Sequence, residues 1–149
     1  MAIPHPDRPA TEAGPVSPLR HSMAWGAEPP PVAAARGAVR AVLARAGHAP
    51  DGRTCQDAQL VVSELVTNAF RHAPGPGGLE LEVPVGGGVL RITVSDTSPA
   101  PLRPQPTGTN RVGGHGLALV ALLCSELRTA VRDPGPGKRV SADFPLPLP

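Results

Sequence analysis

A two-layer α+β sandwich, with helices on one face of a mixed, largely antiparallel sheet, is the fold class that this sequence predicts. Three observations lead there. Two helical stretches precede the main strand pair, the later apolar runs recur at strand spacing, and one apolar helix interrupts them. At 149 residues the chain suffices for one domain and is short for two. Its 21 prolines and 17 glycines crowd into the first thirty-odd positions, the middle loops and the tail. The foldable stretch therefore runs from about Pro31 to about Phe144.

The opening prolines Pro4, Pro6, Pro9, Pro15 and Pro18, with little apolar between them, predict a disordered tail over residues 1–18. A domain over 19–146 and a short tail over 147–149 complete the expected organisation. His21 to Trp25 reads as a short edge strand before Pro29-Pro30-Pro31, the last proline suiting a first helical turn. Val32, Ala35, Val39, Val42, Leu43 and Ala46 recur at three- and four-residue steps, and Gly47 closes that helix. A second helix is predicted from near Asp57 to about His72, ended by Pro74. Val61, Leu65 and Ala69 form its apolar line, thickened by Val62 and Val66, while Glu64, Asn68 and His72 form a separate polar line at four-residue spacing. Leu79–Val83 and Val89–Val94 read as strands joined through Gly86-Gly87-Gly88. From Asp96 to Gly114 there is no periodicity, and Gly113-Gly114-His115-Gly116 leads into an apolar helix over Leu117–Cys124. Strands over Leu127–Arg132 and Arg139–Phe144, joined by Pro134-Gly135-Pro136-Gly137, finish the sheet.

Composition narrows the function classes. The net charge is +2 and the arginines are scattered, so no track for a nucleic-acid backbone is implied. Trp25, Phe70 and Phe144 are the only aromatics, which argues against stacking on single-stranded bases. Cys55 and Cys124 lack metal-ligand spacing and are expected as free buried thiols. No apolar run approaches the ~20 residues of a membrane span, and the start lacks the order of a signal peptide, so a cytoplasmic protein is expected.

Three stretches carry candidate chemistry. Glu64 and Asn68 on one helical face offer hard oxygen donors of the kind Mg²⁺ takes beside nucleotide phosphates, although a solvated helix face has the same pattern. Gly113 to Gly116 before a helix offers backbone N–H groups and a positive helix end to phosphate, although a flexible connector also looks like this. Asp96, at a strand end, presents a carboxylate to an exocyclic amine or simply forms a turn.

Taken together, Ser63-Glu64-Leu65-Val66-Thr67-Asn68-Ala69-Phe70-Arg71-His72, Val94-Ser95-Asp96, Gly114-His115-Gly116-Leu117 and Gly137-Lys138-Arg139-Val140 resemble one superfamily. It is the ATP-binding fold shared by histidine kinases, type II topoisomerases and a heat-shock chaperone, the Bergerat fold. Within it the sequence is most similar to the bacterial anti-sigma-factor serine/threonine kinases. The resemblance covers roughly His21 to Phe144. It implies ATP and Mg²⁺ as cofactors, with Asn68 as metal ligand and Glu64 as general base. It further implies nucleotide contacts from Asn68, Arg71, His72, Asp96, Gly114, Gly116 and Leu117, Asp96 reading adenine and the two glycines shaping the loop over the phosphates. The implied reaction transfers the γ-phosphoryl group to a serine or threonine of an antagonist protein, with a sigma factor as the other partner and a homodimer left open. The sequence departs from the family where Asp96 continues as Thr97-Ser98-Pro99-Ala100-Pro101, and where Arg139 stands in place of a frequent threonine. A module that regulates its partner by contact alone, with or without nucleotide, is the competing expectation.

Overall fold

The structure, a computed structural model, describes residues 15–26, 28, 31–97, 114–133 and 135–148. Positions 1–14 of the expected tail and 98–113 of the expected long loop lie outside the described residues. The elements run β1 (Leu19–Trp25), α1 (Val32–Arg45), α2 (Arg53–His72), β2 (Gly77–Val83), β3 (Val89–Ser95), α3 (Gly114–Leu123), β4 (Glu126–Val131) and β5 (Lys138–Pro145). Among the described residues five strands form one sheet in the order β1-β2-β3-β5-β4. Every pairing in it is antiparallel, so the expected sandwich is present and its sheet is more uniform than a mixed one.

Alternation assigns each strand residue to a face. Leu79, Leu81 and Val83 of β2, Leu90, Ile92 and Val94 of β3, and Val140, Ala142 and Phe144 of β5 are buried on the face that meets the helices. Registered neighbours continue the rows: Leu79 opposes Val94, which opposes Val140, and Leu81 opposes Ile92, which opposes Ala142. Helix α1 lies over β1 and β2, α2 over β2 and β3, and α3 over β4 and β5, with α2 in the middle of the helical layer.

Helix α1 buries Ala35, Ala38, Val39, Val42 and Leu43. It stops because Gly47 takes φ +93, where a side chain would be strained. Gly47 N–H then bonds to Ala44 O at 3.0 Å and His48 N–H to Leu43 O at 2.8 Å, which satisfies carbonyls that a helix end leaves open. Helix α2 starts at Arg53, one turn before the expected Asp57. Its first turn has no side-chain cap and no acidic residue, the usual sequence marks of a start. Burial of Cys55 and Ala58 in the core draws the turn in instead, extending the stripe that continues through Val62, Leu65 and Ala69. Both cysteines are free, Cys55 fully buried and Cys124 half-buried.

The face away from the helices is polar. Arg20, Glu82, Arg91 and Asp143 stand opposite one another in register on β1, β2, β3 and β5, alternating in sign. Arg20 Nε lies 2.7 Å from Glu82 Oε2 and Arg91 Nε 3.1 Å from Asp143 Oδ1. Glu126 of β4 would meet Asp143 as a like charge. Arg128 separates them, reaching Glu126 Oε2 at 2.6 Å and Asp143 Oδ1 at 3.2 Å. Exposed pairs of this kind add little stability singly, but a row of matched charges fixes the order and register in which the strands pair.

Candidate functional site

Glu64, Asn68 and His72 occupy one line along α2, and its direction follows from the opposite flank of the helix. Arg40 of α1 donates from Nη1 to Gln59 Oε1 at 2.8 Å, and the Gln59 amide is held on the Cys55 carbonyl at 3.2 Å. Helix α1 therefore lies on the Gln59 side of α2. Since α2 sits between α1 and α3, the line through Glu64 and Asn68, beyond the buried stripe, turns toward α3. Glu64 and Asn68 are half-buried, while Arg71 and His72, in the last turn, are exposed. Among the described residues neither Glu64 nor Asn68 has a side-chain hydrogen bond or ion pair. Half-burying a carboxylate and an amide without partners is unfavourable unless something else meets them.

Asp96 follows the last residue of β3 and keeps the alternation of Ile92 and Val94, so its carboxylate points into the helical layer. Its side chain is 4% exposed and that of Lys138 is 5% exposed, with Lys138 Nζ 2.8 Å from Asp96 Oδ2. The backbones are joined too: Asp96 N–H donates to Lys138 O at 3.0 Å. Gly137 makes this closeness possible. It holds φ +111, and a Cβ there would overlap the Asp96 carbonyl oxygen and lie 2.8 Å from its carbon. Arg132 closes the corner, its Nη1 donating to Asp96 O at 3.4 Å.

The third component is the start of α3. The helix begins at Gly114, three residues before the expected Leu117, so Gly114 and Gly116 lie in its first turn rather than in a loop ahead of it. First-turn N–H groups have no partner within the helix, which leaves glycine tolerable there and the N–H groups available to an anion. Leu117 is half-buried against the core, and Val120 is fully buried and anchors the helix. The Glu64–Asn68 flank of α2 turns toward α3, whose first turn holds Gly114 and Gly116, and Asp96 follows β3 on the helical side of the sheet. The half-buried amide of Asn68 offers an oxygen of the hard kind that a hydrated Mg²⁺ takes. Among the described residues no three of His, Cys, Asp and Glu converge as a metal cage.

The profile of the histidine kinase-like ATPase domain matches residues 26–144, nearly the whole of this arrangement. The chain belongs to the histidine kinase-like ATPase domain family. Among solved structures it is similar to the RsbU and RsbW domains of Rv1364c from Mycobacterium tuberculosis. That likeness has 20% identity and a TM-score of 0.57, covering 85% of this chain and 32% of that one, and it bears on the fold alone. The chain is also similar to the histidine kinase domain of the blue-light activated histidine kinase EL346 from Erythrobacter litoralis, with 32% identity and a TM-score of 0.45 over 62% of this chain and 45% of that one. It thus spans about a third and under a half of those two chains. No curated protein matches it.

Within this histidine kinase-like ATPase domain, Arg139 is placed away from the site. It pairs with Ser95 and lines a cavity of about 600 Å³ with Ser22, Ala24, Gly78 and Glu80, residues of the open sheet face. None of the expected site residues lines that cavity, although Thr97, which follows Asp96, and Arg132, which closes the Asp96 corner, do. Lys138 is the residue that sequence reading passed over, quoted in its motif but given no role. A signal was present: of fourteen cationic residues it alone is lysine. Among the described residues no helix is long and apolar enough to cross a membrane.

Proposed function

We propose that this domain, over residues 19–146, binds Mg-ATP in the cleft between α2, Asp96 and α3 and acts as a serine/threonine kinase of the anti-sigma-factor type. The observation that carries the reading is the pair Glu64 and Asn68, half-buried, unpartnered among the described residues and facing α3. Asp96 accepts the exocyclic amine of adenine at the floor of the cleft. The first-turn N–H groups of Gly114 and Gly116 hold phosphate oxygens, and Leu117 supplies an apolar wall. Asn68 gives its amide oxygen to Mg²⁺, which offsets charge on the phosphates. Arg71 and His72 stand at the rim, where cationic or donor groups meet phosphate. Glu64 takes the proton of the substrate hydroxyl as that oxygen bonds to the γ-phosphorus and the bond to the β-phosphate oxygen breaks, leaving ADP. The phosphorylated protein is an antagonist of this regulator, the sequestered partner is a sigma factor, and the setting is cytoplasmic.

A second reading, an adaptor that acts by contact without turnover, draws on the Asp96 carboxylate being already paired with Lys138. Calorimetric titration of ATP, with and without Mg²⁺, into wild type, Asp96→Asn and Asn68→Ala tests the nucleotide site that the kinase reading needs, and a phosphotransfer assay on an antagonist protein then separates the kinase from an adaptor that binds nucleotide without turnover. The kinase reading expects wild-type binding that Asp96→Asn abolishes and that loses its Mg²⁺ dependence in Asn68→Ala. Absence of binding in wild type favours the nucleotide-free adaptor.

A further inference from the structure

We propose that the cavity on the open sheet face is a ligand site of its own, one that takes a phosphate monoester of a small polyol. Strand alternation builds its floor. Ala24 opposes Gly78, Gly78 opposes Ser95 and Ser95 opposes Arg139, so a row of three small residues across β1, β2 and β3 ends in one long cation on β5. The short side chains leave the space of about 600 Å³, within the size range of small-molecule sites. Elsewhere on this face hydroxyls satisfy each other, as Thr93 and Ser141 do at 3.1 Å. Those of Ser22, Ser95 and Thr97, which line the cavity, have no side-chain hydrogen bond among the described residues.

Charge selects the ligand. Arg132 N–H donates to Gly137 O at 2.9 Å and so prolongs the ladder in which Ala130 opposes Arg139. The two arginines are therefore diagonal neighbours on one face, their backbones about 7–8 Å apart. Arg139 is exposed and makes no hydrogen bond or ion pair among the described residues. Arg132 gives one of its five donors to the Asp96 carbonyl at 3.4 Å and has no carboxylate partner among the described residues. Two guanidinium forks match a phosphate monoester, which brings three acceptor oxygens and a charge of about −1.5 to −2; a carboxylate would fill one fork. Glu80, exposed and likewise unpaired among the described residues, lines the cavity from β2. An ionised carboxylate only accepts, so it repels the phosphate and receives hydroxyl hydrogens. The ligand's direction follows: phosphate toward β4 and β5, hydroxyls toward β1 and β2, with its C–H faces on Gly78 and Ala24.

Glucose 6-phosphate is the probe, titrated into the isotope-labelled full chain and followed by amide chemical shifts. The expected result is a saturable shift at Gly78, Ser95 and Arg139, with glucose alone and inorganic phosphate alone each binding about tenfold more weakly, the scale of one hydrogen bond to a charged group. Arg139→Gln removes one fork and Ala24→Leu fills the floor, both at exposed positions, and each should weaken the ester by about tenfold; either carries the comparison if the other does not fold. The site is independent of the nucleotide reading, so Asn68→Ala should bind the probe as wild type does. Shifts confined to Gly114 and Gly116, or binding lost in Asn68→Ala, would put the phosphate on the helical side and overturn the proposal. Inorganic phosphate binding as tightly as the ester, or an affinity unchanged in both open-face variants, overturns it equally.

Discussion

Gly137→Ala is the substitution for which the structure gives the sharpest expectation, because a neighbouring glycine supplies its control. Gly135 and Gly137 lie in the same β4–β5 connection with nearly the same backbone angle, φ +107 and φ +111. A Cβ at Gly135 meets nothing within 4 Å, whereas one at Gly137 overlaps the Asp96 carbonyl oxygen and comes within 2.8 Å of Thr97 Cα. Both variants incur the positive-φ penalty, about 1–2 kcal/mol. Only Gly137→Ala must also move backbone. The displacement opens the Asp96 N–H bond to Lys138 O, a net loss of about 1 kcal/mol. It also separates the buried Lys138–Asp96 pair, where outright removal of one partner costs about 3–5 kcal/mol. We therefore expect about 1–2 kcal/mol of destabilisation for Gly135→Ala and about 3–5 kcal/mol for Gly137→Ala. At about 4 °C per kcal/mol, the melting points fall by about 4–8 °C and about 12–20 °C. Urea titration monitored by far-UV circular dichroism measures both. Variants that agree within about 0.5 kcal/mol would refute the view that close approach to Asp96, rather than φ alone, demands glycine at 137.

Other expectations follow from the same contacts. Glu64→Ala should lower phosphotransfer by about 10²–10⁴-fold while leaving the ATP titration unchanged; retained transfer would remove Glu64 as the base. Burial raises the Asp143 carboxyl, but hydrogen bonds and charge from Arg91 and Arg128 outweigh it and hold the group below its ordinary range. A lowered carboxyl contributes stability above its unfolded value, near pH 4, and loses it as pH falls through the folded value. The stability difference between wild type and Asp143→Asn should thus be full at pH 6 and gone near pH 2; a pH-independent difference contradicts this. Gly77→Ala places a Cβ 2.7 Å from the ring of Trp25, which is partly buried against the core, so the ring must shift, and the fluorescence of this single tryptophan should change with a stability loss of about 1–3 kcal/mol. Burial first, then the Asp143 charge, pushes the Cys124 thiol up to about 11, and slow alkylation by iodoacetamide at pH 7 is expected.

Most of the fold was legible because its signals are local. The α1 stripe, the glycine stop at Gly47 and the alternation in β2 and β3 are each contained in a dozen residues. The start of α2 was not, since Arg53 to Gln56 carry no capping residue and are helical on account of what Cys55 packs against. Glu64, Asn68 and Asp96 were found through their spacing and sequence neighbours. The partner of Asp96 was hidden because Lys138 is 42 positions away and is brought beside it only by β5 pairing with β3.

Strand parity joins these points into one account of the site. On β3 and β5 the even-numbered positions run Ile92, Val94, Asp96 and Lys138, Val140, Ala142 toward the helices, while Arg91, Thr93, Ser95, Arg139, Ser141 and Asp143 take the open face. A slip of one residue in β5 would bring Arg139 and Asp143 into the core and put Lys138 outside. Two constraints at opposite ends of the strand oppose it: the Arg91–Asp143–Arg128 contacts, and Gly137, the one position where the chain can close onto Asp96. The charged row on the open face is therefore part of the site's construction although it lies on the far side of the sheet, because the register it helps to fix delivers the ammonium to Asp96. Asp143→Asn should weaken ATP binding only where it also frays β5. Hydrogen exchange at Val140 and Ala142 in that variant distinguishes this from a direct effect: loss of affinity with full protection there would show that the two faces communicate by some route other than register.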